Sequence, residues 1–358
     1  MKTSQTTHTS FANALAGPKA EKRVSLALQG GGAHGAFTWG VLDALLEDGR
    51  LAIEAFSGTS AGAMNAIVAT EGFMENGIEG ARQQLNQFWK DISFNGRVPQ
   101  AHQGLLNAFL AGGRHLQESS AVMWFNLWSQ FLSPYDTNPL DINPLKDVLE
   151  DLIDFKKVRS CSHIKLHIAA THVSTGRVKL FGADELTADH VLASACLPTL
   201  FKAVKINGEA YWDGGYTSNP PLYPLFYHHE ADDIVLIQVN PIIRDELPVT
   251  AQAIEDRTRE IIFNTSLLGE FRAIHFVKDL IGKGILPSNQ YKDVRMHRIS
   301  GGQALANISA TSRVVADWDF FQELHDIGYE EAQKWLKNNY EHIGHRATLD
   351  LAEHINEK

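Results

Sequence analysis

The sequence has little cysteine. Only two cysteines, Cys161 and Cys196, occur among 358 residues, and the chain contains no CxxC pair. Two cysteines cannot build a disulfide framework of the kind that stabilises small secreted domains. This scarcity suits a protein of a reducing compartment.

Long apolar runs are also missing. No segment approaches the roughly 20 apolar residues that a helix needs to cross a bilayer. The opening stretch MKTSQTTHTSFANALAGPKAEKR has no uninterrupted apolar run of the length found in signal peptides. We therefore expect a cytoplasmic protein, with export by a route that leaves no N-terminal signature as the open alternative.

Positive charge is in deficit, since the net charge is −10 at pH 7. Nucleic-acid-binding domains usually carry a basic face, so we expect no nucleic-acid partner. Attachment to anionic lipid by charge alone is also disfavoured, and a peripheral membrane contact would need apolar insertion. With 44% hydrophobic and 21% charged residues, the composition is that of a globular protein that buries a core.

The pattern of apolar residues predicts alternating strands and helices. Residues 1–22, rich in Thr, Ser and Ala, are expected to form a flexible tail. VSLALQG and IEAFSG each have the character of a buried strand, and apolar residues at helical spacing follow both. This order predicts a parallel βαβ unit. No linker divides residues 23–345, which we interpret as one domain, followed by a C-terminal tail at 346–358.

An insertion rich in aromatic residues, from 92 to 142, breaks this rhythm. Trp124, Trp128 and Phe131 form a stripe at helical spacing within it. The stripe either packs on the core or belongs to a lid that contacts acyl chains or a membrane. The second interpretation rests on the suitability of Trp and Phe for a boundary between apolar material and water.

A serine lies between the second strand and its helix, in IEAFSGTSAGAMNAIVA. Gly58, Ser60 and Gly62 satisfy G-x-S-x-G, and the pattern falls at the strand-to-helix turn that a nucleophile elbow requires. Only small neighbours fit a turn this sharp, and the following helix points its positive end at a developing anion. Ser60 is the candidate nucleophile, and a tight structural turn is the alternative.

A glycine-rich loop, LQGGGAHG, lies one βαβ unit earlier. Its glycines allow several backbone N–H groups to converge on one point, as an oxyanion hole requires. The candidate donors are Gly31, Gly32 and Ala33, joined by Ala61, the residue after the candidate nucleophile.

The same loop also fits a dinucleotide-binding pattern. Gly30, Gly32 and Gly35 satisfy G-x-G-x-x-G after a strand, and Glu54 follows near the distance of a ribose-binding acid. That acid belongs at the carboxyl end of the second strand, where this chain has SGTSAG. Nucleotide binding is therefore the weaker interpretation, and no cofactor is expected.

A serine hydroxyl needs a base to remove its proton. Asp213 ends a predicted strand in YWDGGYTSNPPL, and Gly214 and Gly215 allow the chain to turn away from it. The carboxylate is then left facing a cleft. Taken alone, two glycines after an aspartate would indicate a simple turn; together with the elbow and the glycine loop, they make Asp213 the candidate base.

Histidine is the other possible base, because the chain has sixteen histidines. None lies in a catalytic-looking turn, and His163 and His167 are interpreted as residues of one strand face. The segment HHEADD, residues 228–233, has metal-ligand chemistry but is interpreted as a polar loop that enters a buried strand. No metal is expected.

QGGGAHG, GTSAG and DGG, in this order, resemble the patatin-like phospholipase family over residues 24–225. The run ASACLPTLFKAVKINGEAYWDGG is similar to the family's stretch that leads into its aspartate. The resemblance implies a three-layer α/β/α sandwich with a mainly parallel central sheet. It also implies a Ser60–Asp213 dyad, an acyl-enzyme intermediate and hydrolysis of fatty-acyl esters in phospholipids or glycerolipids.

One residue departs from the family's pattern, because His34 stands where the glycine loop usually has Arg or Lys. His34 would supply a positive charge only when protonated, so a local packing role is expected. Ser194 and Cys196 are interpreted as small packing residues. The alternatives are an esterase or thioesterase for small soluble substrates, a hydrolase with a histidine triad, and a catalytically silent lipid-binding module.

Overall fold

The computed structural model describes residues 14–93, 96–98, 102–110, 133–227, 229–287, 289–302, 304–305 and 317–355. The strands of this part are β1 Lys22–Leu28, β2 Leu51–Thr59, β3 Lys165–His172, β4 Arg177–Gly182, β5 Val204–Ile206, β6 Glu209–Asp213, β7 Asp233–Gln238 and β8 Arg295–Ser300. Its α-helices are α1 Gly35–Asp48, α2 Ala61–Asp91, α3 Gln103–Leu110, α4 Pro134–Thr137, α5 Pro144–Leu152, α6 Phe155–Ser160, α7 Ala188–Ser194, α8 Tyr223–Tyr227, α9 Ala251–Gly282, α10 Trp318–Asn339 and α11 Ala352–Ile355.

The strands form one mixed sheet in the order β5-β6-β3-β2-β1-β7-β8, and β4 pairs with β3 off this path. β3, β2, β1, β7 and β8 run parallel to one another. β4, β5 and β6 make antiparallel pairs. Parallel neighbours need crossover connections, and helices supply them here. The predicted mainly parallel α/β architecture is therefore confirmed.

Helices cover both faces of the sheet. Successive strand residues point to opposite faces, and those of the central strands are apolar on both faces, so each face needs a covering layer. Leu26 and Leu28 of β1 lie in the larger apolar core with α1, α2 and α10, whereas Ala27 between them lies in a second core with α9. β7 alternates in the same way. One sheet with an apolar core and helices on each side forms the three layers that the family resemblance implies.

The register of β3 brings two distant segments together. β4 pairs along one edge of β3, so β2 and β6 share the other edge. Thr59 at the end of β2 pairs with Ala169, and Asp213 at the end of β6 pairs with the next residue, Ala170. Asp213 therefore lies beside the point where β2 ends and Ser60 begins the turn into α2.

Helices α1 and α10 pack at unusually short range. A Cβ on Gly40 would lie 1.9 Å from the carbonyl oxygen of His325, and one on Gly328 would lie 2.1 Å from that of Phe37. Only glycine fits at such a backbone-to-backbone contact. These two glycines allow α10, from the end of the chain, to cover the helix that follows the glycine loop.

Two segments that were expected to be tails contain residues packed on the sheet, so these expectations are wrong for the described parts. Leu15 is fully buried and exchanges hydrogen bonds of 2.7 and 2.9 Å with Ile53 of β2. β3 pairs with β2 only from Ala55 onward, which leaves the edge at Ile53 open to Leu15. Near the C-terminus, the N–H of Leu349 donates to the carbonyl of Met296 in β8 at 3.0 Å.

The insertion contributes α3 and α4 to the described structure, and Leu106 of α3 is fully buried. Trp124, Trp128 and Phe131 lie outside the described residues, so the lid interpretation stays a prediction. None of the described helices combines the length and the apolar character that crossing a membrane requires.

Candidate active site

Ser60 forms a strained elbow between β2 and α2, with φ 54° and ψ −123°. Positive φ is uncommon for a residue with a side chain and clusters at functional turns. A Cβ on Gly62 would lie 2.2 Å from the carbonyl oxygen of Leu28, and one on Gly58 would lie 2.9 Å from the nitrogen of Ala63. Packing therefore requires glycine on both sides of the serine.

The backbone of the elbow has a side-chain partner that the sequence analysis missed. The N–H of Ser60 donates to Oγ of Ser194 at 2.9 Å, and Ser194 is fully buried. A buried N–H without a partner would cost about 1–3 kcal/mol, so this hydroxyl stabilises the strained turn. The interpretation of Ser194 as a mere packing residue is wrong.

Asp213 lies beside the candidate nucleophile, because β2 and β6 pair with neighbouring residues of β3. The Ser60 side chain lowers the pKa of its carboxylate, which also accepts the N–H of Gly215 at 2.7 Å. The backbone of Asp213 is fixed as well, since its N–H donates to the Cys196 carbonyl at 2.8 Å and its carbonyl accepts the Thr171 hydroxyl at 2.8 Å. The carboxylate thus has a defined position and orientation.

Burial sets the proton affinity of this carboxylate. Asp213 is 1% exposed, and the loss of water around it raises its pKa to about 7. Hydrogen bonds from the Gly215 N–H and from Ser60 act in the opposite direction. A group with a pKa near neutrality can both take a proton from a hydroxyl and return it.

The turn after Asp213 packs directly against β3. A Cβ on Gly214 would lie 2.3 Å from the carbonyl oxygen of Ala169, and one on Gly215 would lie 3.0 Å from the ring of Phe263 in α9. The two glycines of DGG therefore allow the chain to leave the sheet while the carboxylate stays beside Ser60.

The glycine loop also lies against the elbow. A Cβ on Gly30 would lie 2.6 Å from the carbonyl oxygen of Thr59, and one on Gly35 would lie 2.7 Å from Cβ of Ala61. The N–H of Gly30 is already used, because it donates to Oδ1 of Asn219 at 2.7 Å. This leaves the residues after Gly30 as the candidate oxyanion donors.

The four predicted donors belong to two helix starts. None of the hydrogen bonds within the described ranges uses the backbone N–H of Gly31, Gly32, Ala33 or Ala61. Gly32 and Ala33 open a 3-10 turn that leads into α1, and Ala61 is the first residue of α2. N–H groups at helix starts have no partner within the helix and attract negative charge.

Several histidines have their ring nitrogens bonded away from this site. His172 bonds to Glu209, His190 to Thr187, His297 to both Asp233 and Thr348, and His325 to Asp43. His167 of β3 contacts His229 at 2.8 Å, whereas His163 lies before the strand begins. The N–H of His34 donates to the Gly31 carbonyl at 3.2 Å within the 3-10 turn.

Two other sequence interpretations can be compared with the structure. Glu54 is 4% exposed and is bonded to Arg23 and to the N–H of Ala231, so its carboxylate is occupied within the sheet layer. That occupation disfavours a role in ribose binding. In the segment 228–233, His228 lies outside the described residues and Asp233 pairs with Arg295. Across the part of the chain that the structure describes, no group of His, Cys, Asp or Glu has the arrangement of a metal site.

The strained elbow at Ser60, the buried carboxylate of Asp213 and the glycine loop thus lie together in an α/β sandwich. The sequence profile of the family described as Patatin-like phospholipase matches residues 26–226. The chain belongs to this family and is a hydrolase of lipid esters. No curated protein sequence matches the chain.

Solved structures that are similar to the chain include VipD and a complex of ExoU. VipD from Legionella pneumophila has a TM-score of 0.42 and 17% identity, over 90% of this chain and 68% of that chain. The complex of full-length SpcU with full-length ExoU from the type III secretion system of Pseudomonas aeruginosa has a TM-score of 0.30 and 13% identity. That match covers 91% of this chain and 58% of the other. The family assignment rests on the sequence match.

Proposed function

We propose that the protein hydrolyses fatty-acyl esters of phospholipids or glycerolipids, with Ser60 as nucleophile and Asp213 as base. The observation that carries this proposal is a buried carboxylate with a pKa of about 7, which the strand register places beside Ser60 and whose pKa the Ser60 side chain lowers. The positive φ of Ser60 supports the same role, because strain of this kind is retained where function needs it.

In the first half of the reaction, Asp213 takes the hydroxyl proton while Oγ of Ser60 bonds to the acyl carbon. The carbonyl oxygen becomes an oxyanion, which the N–H groups of Gly31, Gly32, Ala33 and Ala61 would stabilise. The intermediate then collapses, the bond to the alcohol breaks, and the alcohol leaves with the proton from Asp213. The acyl group remains on Ser60.

In the second half, water replaces the alcohol. Asp213 takes a proton from the water while the water oxygen bonds to the acyl carbon. The second intermediate then collapses, the bond between the acyl carbon and Oγ of Ser60 breaks, and a fatty acid forms. Ser60 recovers its proton from Asp213, and the enzyme returns to its starting state. Every proton transfer uses one carboxylate, so neither a histidine nor a metal is part of this scheme.

An exposed apolar surface supports lipid over a small soluble ester as substrate. We define the apolar rim as seven residues with side chains at least 40% exposed: Tyr216, Ile243, Leu247, Val249, Ile254, Ile261 and Ile262. The rim reaches the candidate site, because the Tyr216 ring packs on Phe263, which lies against Gly215. Exposed apolar groups at the mouth of a site are typical of contact with lipid.

The experiment compares two substrates, a medium-chain nitrophenyl ester and phospholipid vesicles, each with a chelator present. Wild type should hydrolyse both, and Ser60→Ala and Asp213→Asn should lose both activities. If wild type cleaves only the soluble ester, the lipid assignment fails and the esterase alternative takes its place. If neither substrate is cleaved and vesicles are bound intact, the protein is a silent lipid-binding module.

A further inference from the structure

The buried side-chain amide of Asn219 hydrogen-bonds to the glycine loop at Gly30, the residue before the candidate oxyanion donors. Asn219 is 0% exposed, and its side chain bonds to both backbone groups of Gly30. Oδ1 accepts the Gly30 N–H at 2.7 Å, and Nδ2 donates to the Gly30 carbonyl at 3.2 Å. A second amide, Nδ2 of Asn240, donates to the same carbonyl at 2.7 Å. The Gly30 carbonyl is thus held from two directions.

The direction of that carbonyl decides where the next N–H points. A peptide unit is planar and trans, so the Gly31 N–H lies antiparallel to the Gly30 carbonyl across the same plane. Two amide donors that fix the carbonyl therefore also fix the N–H of Gly31, the first candidate oxyanion donor. Glycine has no Cβ to limit its dihedral angles, so this loop depends on such external contacts for its geometry.

The backbones of Asn219 and Asn240 are held by a third side-chain amide, that of Gln29. Gln29 is 0% exposed and donates through Nε2 to Oδ1 of Asn264 at 2.9 Å and to the Asn219 carbonyl at 3.3 Å. Its Oε1 accepts the N–H groups of Val239 and Asn240, at 3.0 and 2.8 Å. Both N–H groups and the oxygen of the Gln29 amide are therefore hydrogen-bonded, so this side chain has a fixed position.

The same segment also connects the loop to the candidate base. Asn219 follows Asp213 in DGGYTSN, and the intervening Ser218 accepts the Thr59 hydroxyl at its carbonyl, at 2.9 Å. One short segment therefore contacts the loop through Asn219, the elbow through Ser218 and the nucleophile through Asp213. Displacement of this segment would move donors and base together.

We propose that Asn219, assisted by Asn240, is a positioning residue that aims the Gly31 N–H at the oxyanion. This role rests on the proposed function, because it requires an oxyanion to form at Ser60. Asn219 acts through Gly31 and does not contact the substrate. Its loss should therefore lower kcat and leave KM and the pKa of Asp213 nearly unchanged.

The chain offers a matched control for the structural cost of removing such an amide. The side chain of Asn138, which is 6% exposed, bonds in the same way to both backbone groups of Ile142. Its Nδ2 donates to the Ile142 carbonyl at 2.8 Å, and its Oδ1 accepts the Ile142 N–H at 2.9 Å. Asn219→Ala and Asn138→Ala should both lower the melting temperature. Only Asn219→Ala should lower kcat, by about 10–100-fold, since the loss of a whole oxyanion donor costs about 10²–10³.

Two further variants test the role where Asn219→Ala folds poorly. Asn240 is half-buried, and Asn240→Ala removes the 2.7 Å bond to the Gly30 carbonyl while Asn219 remains. It should lower kcat several-fold. Asn219→Asp keeps an acceptor for the Gly30 N–H but turns a carboxylate oxygen toward the carbonyl, so it should not restore kcat.

The readouts are kcat and KM on a soluble ester, the pH midpoint of kcat/KM, and the rate at which a fluorophosphonate labels Ser60. Asn219→Ala should label more slowly by the same factor as kcat, with an unchanged midpoint. Wild-type kcat in both Asn219→Ala and Asn240→Ala, or an equal loss in Asn138→Ala, would overturn the positioning role and leave the dyad intact. If wild type is not labelled at Ser60, the proposed function itself fails.

Discussion

Asp213 is buried beside the elbow, yet it must ionise before it can accept a proton. Removal from water favours its neutral form and raises its pKa to about 7, whereas the Gly215 N–H and the Ser60 hydroxyl favour the carboxylate. A carboxylate at its ordinary pKa of about 4 would be a weaker base for a hydroxyl. Burial of this side chain thus gives Asp213 a proton affinity close to that of a histidine.

The pH dependence of the reaction should follow Asp213. Because only the carboxylate accepts a proton, kcat/KM on a soluble ester should rise through about pH 7 and then level off. Below the midpoint it should fall about tenfold per pH unit.

Glu270 supplies the control for this profile. Burial also raises the pKa of Glu270 to about 7, but its carboxylate accepts the N–H groups of Leu222 and Tyr223. The Glu270→Gln variant should therefore keep the wild-type midpoint. A midpoint near about 4, or one that disappears in Glu270→Gln, would contradict the assignment of the base to Asp213.

The same pKa predicts a stability difference. The pKa of Asp213 is higher in the native state than in the unfolded state. The free energy of unfolding therefore falls as the pH rises from about 4 to about 7. Asparagine does not titrate, so Asp213→Asn should be more stable than wild type at pH 8. The difference should be a few kcal/mol, because each unit of pKa shift corresponds to about 1.4 kcal/mol. Thermal melts at pH 4 and pH 8 measure this difference. A difference that is independent of pH would show that burial does not disfavour the charge.

Single residues differ in how far the sequence predicts them. Ser60 was predictable because its elbow depends on neighbours only two positions away. The turn after Asp213 could be predicted from its two glycines, but the proximity of Asp213 to Ser60 depends on the pairing of β3 with both β2 and β6. Ser194 and Asn219 were missed because the groups they bind come from segments more than a hundred residues away, and only the strand order brings them together.

At the scale of elements, the contact between α1 and α10 depends on glycine. In Gly40→Ala the new methyl group would meet the His325 carbonyl, so the helices must separate. We expect a loss of about 1–3 kcal/mol in the free energy of unfolding.

Gly269, inside helix α9, is the matched control because a Cβ there meets nothing within 4 Å. Gly269→Ala should raise the free energy of unfolding by about 0.5–1 kcal/mol through helix propensity alone. Denaturant melts of the two variants measure the contrast. Equal effects would mean that α1 and α10 are not packed at backbone contact.

The elements of the first βαβ unit could be predicted because each is encoded by its own apolar period. The tails could not be predicted in this way. Leu15 is ordered by an open edge of β2 at Ile53, and Leu349 by the edge strand β8. Each segment is short and its apolar residues follow neither a strand nor a helix period, so the local sequence does not indicate such pairing.

At the scale of the whole molecule, the apolar rim begins beside the candidate site, at Tyr216. Charged residues in the same stretch of chain are paired with one another. Arg244 and Arg257 both contact Glu260, and Arg259 contacts Glu255. With a net charge of −10, the protein has little attraction for anionic lipid. Contact with a membrane should therefore depend on apolar insertion and respond weakly to salt.

The combined change of Leu247, Val249 and Ile254 to serine tests this contact. Vesicle hydrolysis should fall about tenfold or more, because each exposed side chain contributes roughly 1–2 kcal/mol when it inserts. Hydrolysis of a soluble ester should stay near wild type.

Phe276 and Ile285, which are 62% and 64% exposed, serve as the control. Phe276 lies about 30 Å from Ile254 along helix α9. The change of these two residues to serine should leave vesicle hydrolysis unchanged. Equal loss on both substrates, or an equal effect of the control, would contradict a lipid contact at the rim.

In the proposed mechanism, Asp213 alone activates Ser60. The rate of covalent labelling by a fluorophosphonate in wild type and Asp213→Asn tests this step, with the modified residue located by peptide mass spectrometry. We expect an adduct on Ser60 and labelling at least about 10²-fold slower in Asp213→Asn, since a general base contributes about 10²–10⁴. Labelling of Asp213→Asn at the wild-type rate, or an adduct on another residue, would contradict it.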